Sequence, residues 1–216
     1  PLFWRGKGVV ILQDLREQED WASAEVDASL RAFIIRWQKS FSKRYGVSLS
    51  IGVGDCHPLR ELKTAYREAE IALAYGETKS QRGFCRCFQD VGLLRPLFAG
   101  GIEPVLTFCR RTLGRIMDYD RDNEADLLIT LKLLMETKSN YKATAEMLFV
   151  HVNTVRYRYD KIAQLLEKDL SDPDVCFDLY VAVRMSEILS ALHLLPVRGS
   201  RDLRDKQHGR RASGAN

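Results

Sequence analysis

The sequence predicts an α+β domain followed by an all-α domain built around a helix-turn-helix. Three observations carry this. In the first ninety or so residues, short apolar runs, one of them alternating at period two, are interleaved with longer runs of helical period. From residue 103 onward every apolar run has the helical period. Residues 139–162, SNYKATAEMLFVHVNTVRYRYDKI, hold two short amphipathic segments on either side of the turn 149–152.

The elements follow in order. Residues 8–12 read as a short apolar strand. Residues 17–45 carry a long amphipathic helix with Leu30, Phe33, Ile34, Trp37 and Phe41 on one face, expected inward, and Gly46 is its natural stop. Residues 47–53 alternate Val47, Leu49, Ile51, Val53 with Ser48, Ser50, Gly52, which is a strand pattern. Gly52-Val53-Gly54 completes no phosphate-binding GxGxxG and reads as a strand-to-loop exit. A helix over 59–75, with Leu62, Ala65, Tyr66, Ala69, Ala72 and Leu73 inward, closes at Gly76, and 84–88 is the next strand. This β-α-β-α-β order implies one sheet with helices packed on it.

Gly100-Gly101 marks the boundary between domains. The organisation expected is an α+β domain over 1–99, a linker helix and connection over 100–124 (helix 103–117, charged link 119–124), a helix-turn-helix domain over 125–196, and a disordered basic tail over 197–216. The strongly apolar helix 125–136 supports the helix-turn-helix. Asp172 caps the last helix, 174–195, with Pro173 where its missing N–H costs nothing.

Within the helix-turn-helix, Asn140 is placed to cap the first helix. Asn153 is placed to cap the second. Phe149 stands where such turns often use Gly, because the backbone there takes a positive φ. Val155, Tyr159, Ile162 and Leu166 repeat at i, i+4, i+7, i+11 and seat the second helix. A helix of this composition suits a DNA major groove, which admits an α-helix and offers acceptors to Arg. The candidate DNA-contacting residues are His151, Asn153, Thr154, Arg156, Tyr157, Arg158 and Lys161. Arg156 and Arg158 are the candidates for guanine or phosphate contact. Thr154, Tyr157 and Lys161 would serve phosphates, and His151 and Asn153 sit at the helix entrance. The ordinary alternative for such a face is a solvated surface; agreement of stripe, cap and turn length favours groove reading.

Charge supports this locally. The net charge of +4 equals the excess in the tail 197–216, where six basic residues face two acidic ones. Over 138–168, six basic residues face three acidic ones. Five dispersed cysteines, Cys56, Cys85, Cys87, Cys109 and Cys176, form no disulfide framework and fit a reducing cytoplasm. Cys85 and Cys87 share a strand face but have no accompanying ligand pair, so they read as buried small side chains. The four histidines show no ligand spacing, and no cofactor or metal is expected. No apolar run approaches the roughly eighteen residues of a membrane span. The chain starts at Pro1 inside what reads as a domain, and is expected to be a piece of a longer protein.

The run VHVNTVRYRYDKI, 150–162, closely resembles the C-terminal DNA-binding domain of the PucR/CdaR-type bacterial regulators, a Fis-like helix-turn-helix. The resemblance extends upstream over 113–136 and downstream over 170–189, about seventy residues in all. Phe149 is an ordinary occupant of the turn in that family, which usually has Arg where this chain has Val152. Residues 3–88 resemble the degenerate GGDEF-like domain that precedes it, through SLSIGVGDCHPLRELKTAYREAEIALAYG. Cyclases of that superfamily hold nucleotide and Mg²⁺ with an acidic hairpin turn. The corresponding stretch here, residues 4–12, has Lys7 and no carboxylate, whereas Mg²⁺ wants carboxylate oxygens at about 2 Å. The resemblance therefore implies a non-catalytic domain used for packing or dimerisation, and a transcription regulator of a purine or sugar-diacid catabolic operon. Double-stranded DNA, a second copy of the chain and a small-molecule effector acting through an upstream domain are its expected partners. A protein-interaction module and a nucleotidyl cyclase are the competing readings; the missing acidic turn counts against the cyclase.

Overall fold

The computed structural model describes residues 2–5, 8–11, 24–79 and 82–196, in which an α+β domain leads into an all-α domain. β1 (Leu2–Arg5) and β2 (Gly8–Ile11) pair as an antiparallel hairpin, with Leu2 opposite Ile11 and Arg5 opposite Gly8. Lys7, the start of the long helix expected from residue 17, and the tail all lie outside the described residues.

α1 (Ala24–Tyr45) stops at Gly46, whose φ of 66° only glycine adopts without strain. The face expected inward is covered only in part: Leu30, Ile34 and Phe41 are half-buried. Phe33 is 53% and Trp37 40% exposed, while the buried residue is Gln38. The reason is a polar demand. The Gln38 amide donates to the carbonyls of Leu49, at 2.6 Å, and Phe84, at 3.0 Å, and these lie just before the next two strands. Arg31 forks onto Asp90 at 2.9 and 3.1 Å. Trp37, Phe41 and Tyr45 stack on one another along the helix, with centroids 5.4 and 4.6 Å apart.

β3 (Ile51–Val53) is shorter than the alternating run that announced it, because only these three residues find a partner. That partner is β4 (Cys85–Cys87), parallel, with Ile51 opposite Cys85. The described strands therefore make two separate two-stranded sheets, not one continuous sheet. Between β3 and β4 runs α2 (Leu62–Lys79), entered through a 3-10 turn, Leu59–Glu61. Gly76 lies inside α2 rather than closing it: a Cβ there would sit 2.1 Å from the Phe84 ring. Gly52 has a similar purpose, since its Cβ would meet the Ala69 carbonyl oxygen at 2.2 Å. The glycines let strand and helix touch; they form no phosphate loop. α2 is accordingly buried at Glu68, Ile71, Ala72 and Ala74, while Leu62, expected inward, is exposed.

The loop leaving β3 is pinned by a carboxylate. Glu68 Oε2 accepts from the Asp55 backbone N–H at 3.0 Å and lies 2.8 Å from His57 Nε2, while His57 Nδ1 faces Glu61 at 3.5 Å. Burial opposes the charge on His57, but its bonds to Glu68 and Glu61 outweigh that and hold its pKa above the ordinary value.

After β4 the chain makes 3-10 turns over Phe88–Phe98 and enters α3 (Ile102–Asn123), which runs straight through the charged link expected at 119–124. α4 (Leu127–Glu136), α5 (Tyr141–Leu148), α6 (Val152–Leu166) and α7 (Pro173–Ala191) complete the chain. Asp172 caps α7 by accepting from the N–H of Asp174 at 2.8 Å.

α3 and α7 belong to both halves. Val105, Leu106 and Cys109 of α3, with Met185, Ile188 and Leu189 of α7, close a core with Ile71, Ala72, Phe88, Val91 and Phe98. Leu113 and Ile116 of α3, with Leu179, Ala182 and Val183 of α7, close another with Leu127, Leu131 and Ile162. α3 is thus a structural member of two cores, where the sequence implied a linker. Burial pushes the Cys109 thiol up to about 12, so it stays a thiol and packs. The five cysteines are not joined in disulfides, and the described residues contain no cluster able to hold a metal. Among them, no single helix is long and apolar enough to cross a membrane.

Candidate nucleic-acid interface

α4, α5 and α6 form the helix-turn-helix. α5 starts where Asn140 accepts from the Ala143 N–H at 3.0 Å, as its position implied. It stops because Phe149 takes a left-handed conformation, φ 56°, and its N–H returns to the Ala145 and Glu146 carbonyls. The turn does require the positive φ for which glycine is the usual choice, and Phe149 supplies it with its ring 60% exposed. α6 is capped by His151, whose Nδ1 accepts from the Asn153 N–H at 3.2 Å. This corrects the expectation for Asn153: the cap lies two residues earlier, at His151, and Asn153 sits inside the first turn of the helix and is exposed.

Two arcs divide α6. Val155 and Ile162 are fully buried and Tyr159 partly so, edge-on to Tyr141 at 5.7 Å. Leu133 and Leu134 of α4 and Ala145 and Leu148 of α5 surround Val155. Opposite, Asn153, Arg156, Tyr157 and Asp160 follow the same i, i+3, i+4, i+7 spacing and are all exposed. His151 is exposed at the entrance, and Thr154 is half-buried beside the ridge. Lys161 is half-buried; its ammonium lies 5.1 Å from the Tyr119 ring and donates to Gln164 Oε1 at 3.1 Å.

Arg158 is placed differently from the other candidates. Its side chain is only 14% exposed. Nη1 donates to Thr130 Oγ1 at 3.1 Å and Nη2 to Asp126 Oδ2 at 3.4 Å, both on or beside the start of α4. The physical reason was available in the spacing: Arg158 is three residues after Val155 and four before Ile162, so it shares their arc. Its partners were not available, since Asp126 and Thr130 are about thirty residues away and carry no local signal. Asp120, also unforeseen, caps α4 from α3, accepting from the N–H groups of Leu127 and Leu128 at 2.7 and 2.8 Å. Burial holds its carboxyl above the usual range, against the pull of those two bonds.

Residues 127–185 match the family model of the PucR C-terminal helix-turn-helix domain, and residues 2–75 that of the GGDEF-like domain. This chain carries a PucR-type helix-turn-helix domain behind a GGDEF-like domain. Its relatives include the purine catabolism regulatory protein of Bacillus subtilis (strain 168), 29% identical over 189 residues, which are 87% of this chain and 35% of the relative. The DNA-binding transcriptional activator AdeR of the same organism is 27% identical over 72% of this chain and 38% of its own length. The carbohydrate diacid regulator of Escherichia coli (strain K12) is 26% identical over 83% of this chain and 45% of its own length. The chain thus spans between about a third and under half of the curated relatives it matches. No solved structure matches it. The PucR-type match covers the whole of α4, α5 and α6 and ends within α7, so the exposed arc of α6 lies inside the matched domain.

Proposed function

We propose that the chain binds double-stranded DNA through the exposed arc of α6 and serves a transcription regulator of a catabolic operon. The observation that carries this is the arc itself: Asn153, Arg156, Tyr157 and Asp160 stand in line on a helix whose opposite side is locked by Val155 and Ile162. A rigidly seated helix can present side chains to base edges in the major groove. Arg156 is the group able to bridge guanine O6 and N7, while His151 and Asn153 stand at the end that enters first. Thr154, Tyr157 and Lys161 flank the phosphates. The regulators named above support the reading, and one further relative is named a proline-responsive transcriptional activator, which favours control by a small-molecule effector.

One such helix touches few base pairs, so the working form is a homodimer on two half-sites about 34 Å apart or a multiple of that. The GGDEF-like domain is non-catalytic on this reading, because residues 4–12, the stretch that corresponds to the acidic turn of the related cyclases, hold no carboxylate, and the protein works in the cytoplasm. Arg156→Ala should cost about 1–3 kcal/mol of specific binding. Footprinting on the gene's own upstream region tests this; equal protection by wild type and variant removes Arg156 from the reading role.

A further inference from the structure

We propose that Arg158 is a positioning residue, which sets the angle of α6 through Asp126 and Thr130 and makes no contact with DNA. The inference rests on the DNA-binding reading and refines it. A guanidinium is a planar fork, and two partners at its two ends fix rotation as well as distance. Here one end holds a hydroxyl and the other a carboxylate. Thr130 is fully buried, and its Oγ1 in turn donates to the Asp126 carbonyl at 2.7 Å, so the hydroxyl is committed in both directions.

The platform on which Arg158 rests is itself fixed from both sides. Asp120 of α3 holds the first N–H groups of α4. Lys132, further along α4, pairs with Glu187 of α7, and Glu187 also accepts from Arg184 at 2.5 Å. Swinging Arg158 out to a phosphate would strip a buried hydroxyl and a partly buried carboxylate of their donor, which is costly. Base reading needs side chains held within about 0.5 Å, so the orientation of α6 matters as much as what it carries.

The test uses the full chain and duplex oligonucleotides selected from a random pool by the wild-type protein, with affinity measured by fluorescence anisotropy across a salt series. Arg158→Met keeps the unbranched stem of the side chain as far as the position of Nε and removes the fork. It should weaken binding about tenfold while leaving the slope of log affinity against log salt as in wild type. Asp126→Asn should weaken binding in the same sense, and the double variant should lose no more than the worse single variant. The exchange R158D with D126R should recover binding relative to R158D alone, whereas D126R in the wild-type background should weaken it; an equal gain in both backgrounds, the mark of added positive charge alone, overturns the proposal. A slope reduced by about one ion in Arg158→Met, or unchanged affinity, overturns the proposal. Should Arg158→Met melt below the assay temperature, the near-isosteric Asp126→Asn decides by the same two readings. Absence of salt-dependent DNA binding by the wild type defeats the proposed function and this refinement together; a flattened slope in the variant alone defeats only the refinement.

Discussion

α1 and α6 are both amphipathic helices rich in Arg and aromatic side chains, and they are anchored in opposite ways. α6 is held largely by apolar contacts, Val155 and Ile162 being fully buried, with Arg158 as a polar tie to α4, and what it leaves outside is Asn153, Arg156, Tyr157 and Asp160. α1 is held largely by polar contacts, Gln38 on two carbonyls and Arg31 on Asp90, and what it leaves outside is Phe33, Trp37 and Tyr45. The chemistry of the seat decides the chemistry of the display. A groove-reading helix needs an apolar seat so that its donors are left for the nucleic acid.

This contrast can be broken by exchanging the seats. Ile162→Ala should be the most damaging change, costing about 3–4 kcal/mol because the cavity opens between α6, α3 and α7; chemical denaturation reads it as a fall in midpoint. A loss under about 1 kcal/mol would show that α6 is not seated as described. Gln38→Ala should cost about 2 kcal/mol, smaller but large for a polar residue, since the Leu49 and Phe84 carbonyls lose their buried donor. A neutral result in the same titration would move the anchor of α1 elsewhere.

The smallest effect sharpens the comparison by pH. The pKa of His57 is raised in the folded chain, so its pairing with Glu68 is fully stabilising below the unfolded value of about 6.5 and is lost as pH rises through the higher folded value. Melting temperature should therefore fall as pH rises above about 6.5, and His57→Gln should flatten that segment of the profile. An identical profile in the variant would assign the dependence to another group.

Local rules made two of the caps readable in the sequence, while the cap of α6, expected at Asn153, is His151. Asn140 and Asp172 announce helix starts by side-chain chemistry, and Phe149 occupies a turn whose need for positive φ follows from its length. The buried stripe of α6 was readable for the same reason, because periodicity is a property of one helix. Gln38, Arg158 and Gly76 were not. Each answers to a group far away in the chain: two carbonyls at Leu49 and Phe84, a hydroxyl at Thr130, a ring at Phe84. The face of α1 misled because apolar letters on a helix say where burial is possible, whereas Gln38 decided which way the helix turned. Likewise the continuous α3 was hidden by the charges of residues 118–122, which its outer side carries without ending the helix. The exposed arc of α6 was therefore legible at Arg156, Tyr157 and Asp160, and the seat of Arg158 against Asp126 and Thr130 was not.

α7 has a practical bearing on anyone wishing to crystallise the reading module alone. An excised fragment running from residue 125 to 196 would take Met185, Ile188, Leu189 and Leu195 away from Ile71, Phe98, Val105 and Leu106 and turn them to water. Such an oily strip invites clumping at expression concentrations. Cutting before α2, or recolouring those four positions with polar letters, would spare the fragment that fate.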